Sequence, residues 1–336
     1  MPFIKELLKY KSISMIGLEK NVGKTESMNY ILKELVKRGI KVGVTSIGID
    51  GESIDGVTNT VKPEIKIYEN MIFATSEKFY REKKVQCEVL DVGIKSSSLG
   101  RVVVGKARGD GNIILAGPSN GLWIKEIIGN ILEKGMEIVI VDGALSRMSI
   151  GSPIITEAVV LSTGAAVSLN INEIVKKTKH IINLINIKSI DKEKKEKLEI
   201  LENGIYKIVW EENIIEKLPI SSLLQFKNIS ENIFKERLSL FVTGALTESF
   251  LINISNQSFI NKLEIIITDF TKIFSSAEVL NRFLKKGGKI KVLYKTELIG
   301  VTVNPVAPNG NIGNSRELIK MLKEYTDVPV VNLREE

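Results

Sequence analysis

The stretch Ile16-Gly-Leu-Glu-Lys-Asn-Val-Gly-Lys-Thr-Glu-Ser27, IGLEKNVGKTES, decides how the chain is read. It closes on Gly23-Lys24-Thr25, the ending of a phosphate-binding loop. The usual spelling G-x-x-x-x-G-K-[ST] puts its first glycine at position 18, which here is leucine; Gly17 stands one residue earlier. Such a loop works by turning backbone N–H groups inward around an oxyanion. A lysine reaches the phosphates, a Ser/Thr hydroxyl serves Mg²⁺, and a helix N-terminus lies behind. Two readings follow: a nucleotide loop with its glycine set early, or a structural glycine turn carrying a chance Gly-Lys-Thr.

The flanks favour the first reading. SISMIG at 12–17 is a short β-branched apolar run, the pattern of a buried strand. ESMNYILKELVKRG after the loop has apolar residues at helical spacing and a glycine, Gly39, at its end. IKVGVTSIG at 40–48 is a second strand. Strand, glycine loop, helix and strand make a βαβ unit, which belongs to parallel sheets covered on both faces.

Further apolar strands are expected in MIFAT at 71–75, NIILAG at 112–117, EIVIVDG at 137–143 and AVVLSTG at 158–164. The fold class expected is therefore α/β: a doubly wound, mostly parallel sheet over residues 1–175, with a second, smaller α/β domain over 239–336. Residues 176–238 read as a mainly helical connector with a possible short strand at 205–210. The strands of the last hundred residues could instead extend the first sheet.

Composition narrows the function classes. In 336 residues the net charge is +7, but the lysines are dispersed, and the densest run, DKEKKEKLE at 191–199, mixes both signs. That is a solvated helix face rather than a nucleic-acid tract. Cys87 is the only cysteine, so no intrachain disulfide can form, and with no signal peptide recognisable a reducing cytoplasm is the expected compartment. His180 is the only histidine and lies in a helix-patterned segment; a Cys/His zinc site within one chain is disfavoured. No apolar run reaches bilayer-spanning length.

Three groups stand out near the expected ligand edge. Asp142 ends EIVIVDG as a Walker B acid would, positioning water or Mg²⁺, with a turn or cap as the alternative. Asp50 and Glu52 follow the second strand in SIGIDGES; the alternative for Asp50 is an Asp-Gly turn. Loops at Gly117-Pro118-Ser119, Ala144-Leu145-Ser146-Arg147 and Ser162-Thr163-Gly164-Ala165 follow strands on the same edge, where doubly wound sheets bind ligands. Ser119 reads as a helix N-cap, and Arg147 as a phosphate or partner contact or a plain surface arginine. Without an Asn-Lys-x-Asp motif, ATP is expected over GTP.

The spelling Gly17-Leu18-Glu19-Lys20-Asn21-Val22-Gly23-Lys24-Thr25 resembles dethiobiotin synthetase and related MinD-like P-loop proteins, which carry the glycine at this earlier position. The resemblance implies a nucleotide held by Gly17, Asn21, Val22, Gly23, Lys24, Thr25 and Glu26. It implies Mg²⁺ served by Thr25, Asp50 and Asp142, with Lys24, Asp50 and Asp142 as the catalytic set. The extra signature lysine of the MinD class does not align: Glu19 occupies its place, and Lys20 reads as an exposed loop side chain.

A closer resemblance runs through TSIGIDGES, KPEIKIYENMIFATSEKFYREK, Leu99-Gly100-Arg101, AGPS at 116–119, VDGALSR at 141–147 and TGAAVS at 163–168. These phrases are similar to P-loop proteins associated with adenosylcobalamin-dependent lysine 5,6-aminomutase and its ornithine counterpart. It implies a reactivase subunit working with a MutS-like companion ATPase, using ATP to let a damaged cobalamin exchange. The chain has no D-x-H-x-x-G cobalamin motif, so cobalamin would belong to the mutase. Two other classes stay open: a dethiobiotin-synthetase-like ligase acting on a small carboxylate or carbamate, and a non-hydrolysing nucleotide-binding scaffold. A homodimer is also possible.

Overall fold

A computed structural model describes residues 3–48, 64–143, 152–220, 222–223 and 238–335. In chain order the elements are α1 (Ile4–Leu7), β1 (Ser12–Gly17), α2 (Lys24–Lys37), β2 (Val42–Ser46), β3 (Ile65–Ile67), β4 (Ile72–Ser76), α3 (Glu77–Arg81), β5 (Cys87–Ser97) and β6 (Gly100–Ala107). Then come β7 (Gly111–Ile113), α4 (Gly121–Glu133), β8 (Ile138–Asp142), β9 (Ala158–Gly164), α5 (Ile171–Ile185), α6 (Lys192–Glu199), β10 (Ile205–Val209) and β11 (Ile214–Lys217). The remainder is β12 (Leu238–Val242), β13 (Leu246–Thr247), α7 (Glu248–Ile254), β14 (Leu263–Ile267), β15 (Ile273–Phe274), α8 (Ala277–Lys285), β16 (Lys289–Val292), β17 (Glu297–Asn304), α9 (Ser315–Leu322) and β18 (Val330–Val331).

Two compact units emerge, residues 1–179 with 297–336, and residues 180–296. The first is built on a sheet of order β18-β17-β9-β1-β8-β2-β4-β6-β5. The strands from β18 to β4 are mutually parallel, and only β6 and β5 run antiparallel to their neighbours. This is the mixed α/β, mostly parallel sheet expected. Every residue of β1 is buried, as a central strand covered on both faces requires. Successive residues of β8 serve opposite faces: Ile138 and Ile140 pack with Met28, Ile31 and Leu35 of α2, while Val139 and Val141 pack with Ile124, Ile128 and Ile131 of α4. Together with Leu32 and Ile127 these helix residues fall at i, i+3, i+4, i+7, which makes each helix a one-faced wedge on the sheet. Gly43 on β2 lies where a side chain would strike Ile131. Gly39, at φ +75°, stops α2, with its N–H bonded to Val36 O and Ile40 N–H to Leu35 O.

The expected division of the chain needs correction. The strand foreseen at 299–304 does not belong to a separate 239–336 domain. It is β17, paired with β9 through seven register positions from Glu297↔Ala158 to Asn304↔Gly164. With α9 and β18 it completes the first sheet, the alternative the sequence left open. The apolar run makes both placements plausible locally; burial against β9 decides, and Gly300 gives the room for the ring of Phe3. Nor is 176–238 a helical connector among its described residues: α6, β10 and β11 belong to the second unit. That unit is a sheet of order β11-β10-β12-β14-β16, with β12, β14 and β16 parallel and β10 antiparallel to both its neighbours.

A second correction concerns NIILAG at 112–117. Only Gly111–Ile113 is extended, and it pairs with β3 in a two-stranded ribbon rather than entering the main sheet. The segment then crosses strand ends: Ala116 N–H donates to Thr75 Oγ1 at 3.0 Å and Ser76 N–H donates to Ala116 O at 2.8 Å. Its place beside β4 is taken by β6 of the β5–β6 hairpin.

Candidate functional site

Strand β1 is the point where the sheet's order reverses. The chain moves from β1 outward through β2 to β4 on one side, and later through β9 to β17 and β18 on the other. At such a switch point the loops diverge beyond the carboxyl ends of the strands and leave a crevice. The loop 18–23 fills that position, between the ends of β8 and β9.

Its shape explains the early glycine. Leu18 N–H bonds Ser162 O at 2.9 Å, continuing the β1 ladder. Val22, 2% exposed, folds back over Gly17, and a β-carbon at Gly17 would come within 2.8 Å of Val22 Cγ2. Asn21 and Gly23 then adopt positive φ, 62° and 79°. Gly23 is the N-cap of α2, and no side chain caps the helix there. The first N–H groups of α2 therefore have no partner inside the helix, as at any helix start.

Lys24 opens α2 and its side chain points across the strand ends. Nζ lies 2.6 Å from Oδ1 of Asp142 and donates to the carbonyl of Gly143. The contact with Asp142 is an ion pair by distance without the alignment of a hydrogen bond. Asp142 ends β8 beside Met15 of β1 and Ser46 of β2. Lys24, Thr25 and Asp142 are thus three of the expected site residues that share the sheet's carboxyl edge. Among the described residues Thr25, in the first turn of α2, and Asp142, at the end of β8, are side chains that carry oxygen there. Among the described residues no cluster of three or more His, Cys, Asp or Glu side chains is arranged to hold a metal. Asp50, Glu52 and Arg147 lie outside the described residues.

Other expected residues have structural work. The cap of α4 is Asn120, whose Oδ1 accepts Trp123 N–H at 3.1 Å, so Ser119 is not the cap. Ser162 and Thr163 are fully buried; Ser162 Oγ bonds Thr302 Oγ1 at 2.8 Å and Thr163 Oγ1 bonds Thr178 Oγ1 at 2.8 Å. Lys20 is exposed, and Glu19 makes an exposed ion pair with Lys177 at 3.9 Å. Glu26 is turned to Arg334, Nε to Oε2 at 3.1 Å and Nη2 to Oε1 at 2.5 Å. In the second unit His180 is half-buried, its Nε2 assigned as donor to Ser275 O at 2.9 Å. Burial holds its imidazole below the ordinary range; the Ser275 carbonyl and the Glu278 charge oppose that shift.

Two residues at this edge were missed from sequence. Asn304, ending β17, donates from Nδ2 to Asn21 O at 3.4 Å, and a β-carbon at Gly23 would lie 2.8 Å from Asn304 Cβ. Its carbonyl accepts from Ala165 N–H at 2.9 Å, and Gly164, at φ +153°, has no room for a side chain against it. Arg334, after β18, borders a cavity of about 360 Å³ that runs from Gly23 along α2 to Lys66 and Tyr68. The available signal was β17 ending in Asn304-Pro305, an apolar strand stopped by a residue that cannot pair onward. No protein-family model and no curated protein matches the chain.

Proposed function

We propose that the chain is an ATP-binding P-loop protein that acts as the reactivase subunit of a cobalamin-dependent aminomutase. One observation carries the nucleotide part: a strand-loop-helix at the sheet's switch point whose Gly23 takes positive φ at the helix start, with Lys24 beside Asp142. In this reading the loop 17–25 surrounds the phosphates with backbone N–H groups. Lys24 exchanges its pair with Asp142 for the phosphate chain, to which its ammonium is a point charge. The Thr25 hydroxyl and, through water, Asp142 would hold Mg²⁺, which neutralises charge developing on the phosphoryl oxygens. Asp50 is the further acid of this set.

The reactivase part rests on the family phrases named above, not on geometry. ATP binding and hydrolysis would drive this subunit, with its MutS-like companion, to open an inactivated mutase so that damaged cobalamin leaves.

The test mixes inactivated aminomutase, this protein, the companion ATPase, Mg·ATP and fresh adenosylcobalamin. Recovery of mutase activity should need ATP and should vanish with Lys24→Ala. Recovery that is equal without this protein overturns the reading. Rapid ATP turnover driven by a small carboxylate or carbamate alone would put a ligase in its place.

A further inference from the structure

We propose that Arg334 is a nucleotide-affinity residue: it cancels the charge of Glu26 at the mouth of the α2 cavity, and so lets a polyanion occupy the neighbouring loop. The inference rests on the nucleotide reading and adds to it a residue from the far end of the sheet.

Glu26 is the second residue after Lys24, in the first turn of α2. A free carboxylate there would repel a phosphate chain. It is not free: both its oxygens face the guanidinium of Arg334, at 3.1 and 2.5 Å. Both side chains are about half exposed, 46% and 57%, and such an exposed pair adds little to stability. Yet the turn that presents Arg334 is well built. Asn332, 5% exposed, accepts Arg334 N–H at 3.1 Å and donates to Glu335 Oε1 at 2.8 Å. The same carboxylate oxygen accepts from Ser315 Oγ at 2.7 Å. These bonds hold the backbone of Arg334, and the guanidinium itself is aimed at Glu26.

The cavity beside the pair suits the rest of a nucleotide. It starts at Gly23, is flanked by Tyr30 and Tyr68, and carries the cationic Lys33 and Lys66. Its volume, about 360 Å³, is within the range of small-molecule pockets, and its lining is mostly polar, with the rings of Tyr30 and Tyr68 offering faces for a base. Lys33, Lys66 and Arg334 against Glu26 leave the lining at +2, and Arg334 is the cation placed directly on the Glu26 carboxylate at the Gly23 end.

The test is calorimetric titration of Mg·ATP into the full chain and its Glu26→Gln, Arg334→Gln, Arg334→Lys and double Glu26→Gln/Arg334→Gln variants. Arg334→Gln should weaken binding on the order of tenfold, the effect of one uncompensated charge roughly 10 Å from a phosphate at an effective dielectric of about 20. The double variant should return to within about threefold of wild type, since removing both charges restores the balance. Arg334→Lys should keep most of the affinity. An undiminished affinity in Arg334→Gln overturns the proposal. So does an equal loss with and without Glu26→Gln, which would mean a structural role for the turn. Wild-type protein that binds no nucleotide fails earlier, at the nucleotide reading itself.

Discussion

The ammonium of Lys24 sits 2.6 Å from Oδ1 of Asp142, joining the start of α2 to the end of β8. Each group holds the other's charge in a partly buried place, and each is expected to give up that partner when a polyanion arrives. Lys24→Ala should therefore abolish measurable Mg·ATP binding while leaving melting temperature nearly unchanged, because the side chain lies outside both cores flanking the sheet. Calorimetry on the folded variant checks this; affinity equal to wild type counts against the loop as a phosphate site.

Asp142→Asn should keep nucleotide binding and slow hydrolysis. The amide no longer competes for Lys24, but it loses one charge-assisted contact, worth about 1.5–3 kcal/mol, or roughly ten- to 150-fold in rate. A steady-state ATPase assay at saturating Mg·ATP decides it, and an unchanged rate returns Asp142 to the role of a structural acid.

Thr302 ties three elements together through hydroxyls. Its Oγ1 meets Ser27 of α2 at 2.9 Å and Ser162 of β9 at 2.8 Å, all three residues being buried. Thr302→Val keeps the volume but strands two buried hydroxyls, at about 1–3 kcal/mol each. Urea unfolding should show the loss. A triple variant with Ser27→Ala and Ser162→Ala should recover much of it, since replacing all partners by apolar groups is nearly neutral. No recovery would mean that packing, not hydrogen bonding, holds this corner.

Gly23→Ala should destabilise the loop by about 1–3 kcal/mol, because φ +79° is strained for any side chain and the added carbon meets Asn304. The variant should bind Mg·ATP more weakly than wild type even where it is fully folded. Native melting together with native affinity would show that the positive φ at the helix start is dispensable.

The second unit should weaken on mild acidification. His180 is held below its ordinary pKa of 6.5, mainly by burial. Its neutral form is favoured in the folded chain, and the unfolded chain binds the extra proton first. Stability from this group is whole above about pH 6.5 and is lost as pH falls from there through the folded value. Comparing urea midpoints at about pH 7.5 and 5.5, His180→Gln should show a smaller drop than wild type. An identical drop would place the acid sensitivity in the carboxylates.

The sequence by itself determined the local chemistry of the site and the class of the fold. Continuous apolar runs such as EIVIVDG can be satisfied only by burial on both faces, so β1, β2, β4, β8 and β9 were legible, and so was the α2 wedge with its glycine stop. The strand-loop-helix context placed Lys24, Thr25 and Asp142 at one edge because each lies next to an element whose direction the pattern gives. Tertiary structure alone decided which sheet a run joins. NIILAG and IGVTVN have the same local character, yet one is displaced from the main sheet by the β5–β6 hairpin and the other pairs with β9 in a different unit from its sequence neighbours. Pairing is set by long-range burial and register, which no window of sequence contains. For the same reason the contacts of Asn304 and Arg334 could not be read beforehand, although Asn304-Pro305 marked a strand end: they meet Asn21 and Glu26 only because β17 and β18 return to the first sheet.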